Sequence, residues 1–225
     1  MAGGPAPDYT ALRARAREER WDQAYVVAAD GGFAHCLALG LTPSVVVGDL
    51  DSLAPQQEAR IGDLPLMRVP RAKDQTDLQL ALDLVASRSP GHLTVVGALG
   101  GERLDHTLAG IHAGIALARV GWRLHYLGPG DELWLLAGPA ELDLVARSDR
   151  YLSLVPLTAE VTGVWASGLR WELEGVTLRQ GDSLGISNEF GPGPAGIRFQ
   201  AGVLAAVLSP RPVQTAGTRG AGEPE

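Results

Sequence analysis

The chain of 225 residues has a single cysteine, Cys36. That excludes an internal disulfide framework and any multi-cysteine zinc or iron–sulfur site, and makes the cytosol the default compartment. No run approaches the ~18 apolar residues that a membrane span requires. There is no apolar signal core either, since residues 11–20 read ALRARAREER. Basic side chains are scarce, 19 against 26 acidic, for a net charge of -7. Broad nucleic-acid binding needs a basic surface, so only a local basic cluster stays open. Aromatics make up 5%, which makes the five tryptophans worth following one by one. No repeat of 20–50 residues is visible, which removes the solenoid class. What is present, 45% hydrophobic and 20% charged residues, suits a globular protein with room for one large domain or two modest ones.

The first 150 residues alternate short β-rich runs with helical stretches. The runs are 24–30 (AYVVAAD), 44–49 (SVVVGD), 92–98 (HLTVVGA) and 123–128 (RLHYLG). Between them, Leu78, Leu82 and Val85 recur at helical spacing, and so do Leu104, Leu108, Ile111 and Ile115. Strands apolar on both faces that alternate with helices predict a parallel sheet covered on two sides. After about Leu144 the pattern changes to short strands separated by Gly, Pro and Asn turns, which predicts a small antiparallel sandwich or barrel. The fold expected is therefore α/β: a mostly parallel domain over 1–147, an antiparallel β-sandwich over 148–208, and a disordered tail over 209–225.

Carboxylates gather where those strands end, the edge at which open parallel sheets bind ligands. Asp49 and Asp51 follow the second strand in Gly48-Asp49-Leu50-Asp51-Ser52. Oxygen ligands so placed suit Mg²⁺, although Asp and Ser also open helices as caps. Asp30-Gly31-Gly32 ends the first strand, and Lys73-Asp74-Gln75-Thr76-Asp77 opens a helix with more charge than a cap needs. Gly100-Gly101-Glu102-Arg103-Leu104-Asp105-His106 joins a strand to a helix. Its glycines would let N–H groups approach an anion, and Arg103 offers a fork for phosphate. Acids for a cation with glycines, Lys73 and Arg103 for phosphates are the equipment of phosphoryl or nucleotidyl transfer. No P-loop or nucleophile-elbow sequence is present.

The ordered series DGG, GDLDS, KDQTD, GGERLDH and GISNE resembles the thiamine pyrophosphokinase family, from about Ala28 to about Val207. The resemblance implies an α/β nucleotide domain followed by a β-sandwich that binds thiamine. It also implies ATP and Mg²⁺, a homodimer with active sites at its interface, and no nucleic-acid or membrane partner. Carried over by position, Asp49, Asp51 and Asp77 become the catalytic, metal-binding carboxylates. Lys73, Asp74, Thr76, Arg103 and Asp105 become nucleotide-binding, and Asp30, Trp171, Ser187 and Asn188 thiamine-binding. Trp171 is the candidate to stack on a thiamine ring, with a place in the sandwich core as its alternative.

Three features depart from the family pattern. Glu102 interrupts the usual Gly-Gly-Arg run, and Gly110 stands where many relatives have Asn. Met1-Ala2-Gly3-Gly4-Pro5 resembles the end of the family's first strand and its loop, without that strand's apolar residues. The five histidines lack ligand spacing and are expected to be structural, with His106 set apart by its neighbours; Cys36 is expected to be buried and inert. Two other readings remain at this point: a pyrophosphokinase of the same fold acting on a pterin alcohol, and a non-catalytic nucleotide or thiamine sensor.

Overall fold

The computed structural model describes residues 1–212. Helix α1 (Tyr9–Glu18) is capped by the Asp8 carboxylate, which accepts the Thr10 N–H at 2.5 Å. It is as charged as its sequence suggests, because only Leu12 and Ala16 turn inward. Strand β1 (Val27–Ala29), helix α2 (Gly32–Leu39), strand β2 (Val45–Gly48), the short helix α3 (Pro55–Glu58) and strand β3 (Leu66–Arg68) follow. Helix α2 closes at Gly40, whose φ of 71° lets the Leu41 N–H reach back to Cys36 O at 2.9 Å. Cys36 itself is fully buried, and burial raises its thiol pKa.

Next come α4 (Asp77–Ala86), β4 (His92–Val96), α5 (Leu104–Arg119) and β5 (Arg123–Leu127). Thr76 caps α4, its hydroxyl accepting the Gln79 N–H at 3.1 Å, and Ala81, Leu82 and Val85 face the core. Helix α5 can lie close to the sheet because Gly114 has no side chain; a Cβ there would collide with Tyr126 Oη and Leu135. At Gly110 a Cβ would sit 2.8 Å from Leu78, so this glycine sets how near α5 comes to α4.

The remaining chain is all strand: β6 (Glu132–Ala137), β7 (Ala140–Leu144), β8 (Arg150–Pro156), β9 (Glu160–Ser167), β10 (Leu173–Arg179), β11 (Asn188–Glu189), β12 (Ala195–Phe199) and β13 (Val203–Pro210). Ser209 and Pro210, expected in the tail, close β13 instead; the rest of that expected tail, from 213, lies outside the described residues.

Three sheets result. Strands β1, β2 and β3 pair in parallel, with Val27 opposite Val45. A four-stranded antiparallel sheet runs β10-β9-β12-β7, and a six-stranded sheet runs β11-β8-β13-β6-β5-β4. In the latter only β4 and β5 are parallel. The change of pattern near Leu144 is therefore no break in hydrogen bonding. Strand β6 pairs with β5 on one side and β13 on the other, and β7 joins the second antiparallel sheet. One core lies between α4, α5 and the sheets, around Leu82, Leu124 and Leu135. A second fills the sandwich, around Leu152, Val164, Ile197 and Leu204.

The N-terminal residues stitch the parallel sheet to the six-stranded one. The Met1 amine donates to Val27 O at 2.7 Å and Met1 O accepts from Ala29 N–H at 2.8 Å. On the other side the Ala2 N–H donates to Val96 O at 2.7 Å and the Gly4 N–H to Gly97 O at 2.9 Å.

Candidate active site

The C-terminal ends of β1, β2 and β4 and the start of α4 deliver their loops to one edge. One carboxylate oxygen each from Asp30, Asp49 and Asp51 lie within 4.8 Å of one another. Asp30 follows β1 with only 9% of its surface exposed, and its Oδ1 has no hydrogen-bond partner. Gly48 makes room for it, since a Cβ there would sit 3.0 Å from the Asp30 Cβ. The expected acidic trio was Asp49, Asp51 and Asp77, with Asp30 beside thiamine. The structure groups Asp30 with the first two.

Asp77 stands across a cation. Lys73 Nζ lies 3.0 Å from Asp77 Oδ1 and 3.8 Å from Asp49 Oδ2. Arg71 approaches Asp51 at 3.4 Å, and the Ser52 hydroxyl donates to Asp51 at 3.3 Å. Ser52 was read from the sequence only as part of GDLDS and a possible cap, and Arg71 was not singled out; Arg71 falls two residues before the KDQTD run, which was the available signal. The Asp51 N–H, 3.1 Å from Asp49 Oδ1, holds the Asp49 carboxyl below its usual range, with help from Lys73. Asp74 is exposed and makes no polar side-chain contact among the described residues, while Thr76 is engaged as the cap of α4.

The glycine loop after β4 turns through left-handed Gly100 and Gly101, with φ of 77° and 90°. Beyond it Arg103 closes a two-point fork on Asp105, Nε at 2.9 Å and Nη2 at 2.6 Å. Those bonds draw the Asp105 carboxyl down to about 2. The fork Arg103 could offer to a phosphate is thus held by Asp105, on an exposed surface where exchange of partners costs little.

Trp171, Ser187 and Asn188 form a second group on the sandwich, joined to the acids by no hydrogen bond or ion pair among the described residues. Trp171 is 52% exposed, so it is not a core residue. The Arg170 guanidinium, absent from the sequence-based set, lies 4.7 Å from the centroid of its ring. Asn188 is buried, its side-chain amide pairing with the Trp171 main chain in both directions. Ser187 has a φ of 59°, and its N–H donates to Ser153 Oγ at 3.0 Å.

Three of the four left-handed non-glycine residues among the described residues are Asp30, Leu50 and Ser187, all in these loops. Each such conformation costs about 1–3 kcal/mol and persists where the surroundings over-determine it. Strain placed beside clustered carboxylates and an exposed tryptophan is how ligand sites are commonly built.

An α/β half with acids, a lysine and a glycine loop at one edge, continued by a β-sandwich that presents an aromatic ring, is the architecture of an enzyme acting on small molecules, and comparison with known proteins makes it a kinase. Residues 17–124 match the family model described as thiamin pyrophosphokinase, catalytic domain, and 141–204 match thiamin pyrophosphokinase, vitamin B1 binding domain. The chain belongs to the thiamine pyrophosphokinase family. It is 28% identical over 215 residues to thiamine pyrophosphokinase of Bacillus subtilis, covering 93% of this chain and 96% of that one. The crystal structure of the Bacillus subtilis protein superposes with a TM-score of 0.78 at 24% identity, over 94% of this chain and 97% of that one. A thiamin pyrophosphokinase family protein from Enterococcus faecalis gives 0.69 at 26% identity, over 94% and 97%. The catalytic-domain match does not favour the sensor reading, nor the vitamin B1 binding domain the pterin one.

Proposed function

We propose that this protein transfers the pyrophosphoryl group of ATP to the hydroxyl of thiamine, giving thiamine diphosphate and AMP. The observation that carries the reading is the Asp30 carboxylate, with one buried and unpartnered oxygen, brought within 4.8 Å of the carboxylates of Asp49 and Asp51. Three carboxylates this close repel one another unless a cation or protons relieve them. A hard, all-oxygen donor set suits Mg²⁺, which keeps several waters and shares oxygens with a polyphosphate. Asp30, Asp49 and Asp51 are the residues that would hold it, with Asp77 at reach once Lys73 turns away. Bound there, such an ion supplies charge neutralisation for the transferred group.

The chain's own groups do the rest. Lys73, released from Asp49 and Asp77, is placed to meet phosphate oxygens. Gly100 and Gly101 leave main-chain N–H groups free of side-chain cover for an anion, and Arg103 adds a planar donor when it leaves Asp105. On the sandwich, Trp171 offers a ring face to the thiamine cation and Ser187 a hydroxyl to its polar edge, while Asn188 holds Trp171 in place.

The two groups complete each other in a homodimer. Leu104 (70% exposed) and Leu108 (52%) on α5, with exposed Leu184 and Ile186 beside Ser187, are apolar surface that pairing would cover. The cytoplasm, where ATP is abundant, is the compartment that suits the reaction; no described helix is long and apolar enough to cross a membrane.

The test is direct. Incubation with ATP, Mg²⁺ and thiamine should yield thiamine diphosphate and AMP in equal amounts. Formation of ADP, or no product at all, overturns the reading.

A further inference from the structure

Two loops of the acid edge meet through residues 3–5. Gly3 packs on Gly31, the residue after Asp30, so closely that a Cβ on Gly3 would sit 3.1 Å from the Gly31 Cα. Gly4 packs on Gly97, just past β4. Its N–H donates to Gly97 O at 2.9 Å, and a Cβ on it would lie 2.5 Å from that oxygen. The Pro5 ring rests on Gly101, its Cδ 3.1 Å from where a Cβ would stand. Main chain meets main chain here, with no flexible side chain between to absorb a shift. Where residues 3–5 go, the Asp30 loop and the loop over 97–101 go with them.

One side chain holds this segment from behind. His35, on α2 and only 8% exposed, places its Nε2 2.8 Å from Gly4 O. Its Nδ1 lies 2.7 Å from the hydroxyl of Tyr9, the first residue of α1. A carbonyl oxygen can only accept, so Nε2 carries the proton. Burial lowers the His35 pKa, which keeps the ring neutral and leaves Nδ1 bare to accept the Tyr9 O–H. The imidazole is thus a bridge of fixed polarity: α1 orients the ring, and the ring holds the Gly4 carbonyl. Among the described residues no other donor reaches that carbonyl, and no other side chain bonds to residues 3–5.

We propose that His35 is a positioning residue for the nucleotide half of the site: by holding the Gly4 carbonyl it sets the distance between the Asp30 loop and the glycine loop over 97–101. The inference rests on the reading of that edge as the place of ATP and Mg²⁺. His35 touches neither. It acts through Gly3 on the residue next to a cation-binding acid, and through Gly4 and Pro5 on the main chain that meets phosphate. Trp171, Ser187 and Asn188 stand on the sandwich, outside this chain of contacts, so loss of the bridge falls on the nucleotide and spares thiamine.

The experiment compares the full natural chain with His35→Ala, His35→Gln and Tyr9→Phe. It reads hydrogen exchange at the Gly4 amide, calorimetric binding of a non-hydrolysable ATP analogue with Mg²⁺, and KM for each substrate. His35→Ala should speed Gly4 exchange, and should weaken the analogue and raise the ATP KM roughly fivefold or more, the scale of one lost hydrogen bond. The thiamine KM at saturating ATP should stay within about twofold. His35→Gln, whose amide can still donate to Gly4 O, should recover most of the loss. Tyr9→Phe keeps the ring without its orienting hydroxyl and should shift the ATP KM the same way by a smaller factor; it decides the matter if His35→Ala does not fold. Equal rises in both KM values, or a glutamine no better than alanine, would show a merely structural histidine and overturn the proposal. A natural protein that binds no analogue overturns the ATP reading and this inference with it. One that binds it no better than His35→Ala overturns this inference alone.

Discussion

Asn188 clamps Trp171 by its main chain: the asparagine Nδ2 donates to the Trp171 carbonyl at 2.6 Å, and its Oδ1 accepts the Trp171 N–H at 3.1 Å. Seventeen residues apart in sequence, the two form one unit in which a buried amide aims an exposed ring. Asn188→Ala leaves the part-buried Trp171 N–H and C=O without these partners, at a cost of about 1 kcal/mol for each net hydrogen bond lost. The thiamine KM should rise while the ATP KM changes little. Equal increases in both would show that the damage is general rather than aimed at the ring.

Because Trp171 is exposed, Trp171→Ala should leave Tm nearly unchanged. A cation over an indole is worth about 0.5–2 kcal/mol, more when desolvated, so the thiamine KM should rise roughly tenfold, at ~1.4 kcal/mol per decade. Trp171→Phe should recover part of the loss. Steady-state kinetics against each substrate decides it; an unchanged thiamine KM places the ring wall elsewhere.

Asp30→Asn should preserve or raise stability in metal-free buffer, since it removes a buried carboxylate that lacks a partner. The same change should weaken Mn²⁺ binding measured by calorimetry and cut turnover by at least a hundredfold. Asp49→Asn and Asp51→Asn should behave alike in turnover. Near-normal Mn²⁺ affinity in Asp30→Asn would remove that residue from the cation site.

A pH dependence should arise far from the acids. Glu132 is drawn down to about 2, first by His125, whose Nε2 lies 3.3 Å from its carboxylate, and then by Arg147. Its folded pKa lies below the ordinary 4.5, so its contribution is complete above that value and drains away as pH falls toward about 2. Burial also lowers the pKa of His125, which stacks on Trp134 with ring centroids 3.8 Å apart, so acid again favours the unfolded chain below the ordinary 6.5. Urea unfolding at pH 5 and pH 3 should show a smaller loss in Glu132→Gln than in the natural protein. An identical loss in both would contradict this account.

If each active site takes its acids from one subunit and its ring from the other, two dead variants should rescue each other. Co-refolded Asp49→Asn and Ser187→Ala/Asn188→Ala chains should regain up to about a quarter of native activity, the share expected for one intact site in half of the dimers. Light scattering that finds an active monomer would end the idea.

The sequence made the strand-end acids readable because their positions follow from chain order alone. Asp30, Asp49 and Asp77 each close or open an element whose period was clear. Which acids meet was not readable. That depends on Gly48 leaving room for Asp30, and on Lys73 reaching between Asp49 and Asp77, both consequences of how strand ends stack. Strand β3 was missed because Leu66–Arg68 is exposed and carries no alternation. Strands β6 and β7 were missed as parts of the sandwich because their partners, β13 and β12, lie some sixty residues further on. Trp171 could be recognised as important but not as exposed, since no local pattern tells a ring on the rim from one in the core.

The six-stranded sheet that carries β4 and β5 at one end and β8 and β11 at the other also limits how the molecule can move. A pair of halves joined by a linker could close on a substrate like a hand. Here the joint is a ladder of main-chain hydrogen bonds from Leu124–Leu135 to Leu136–Leu204, and bending it would break the sheet. The described residues should therefore melt in one calorimetric transition. The catalytic cycle must run on a rigid frame, with side chains such as Lys73 and Arg103 and the loops that bear them supplying the travel.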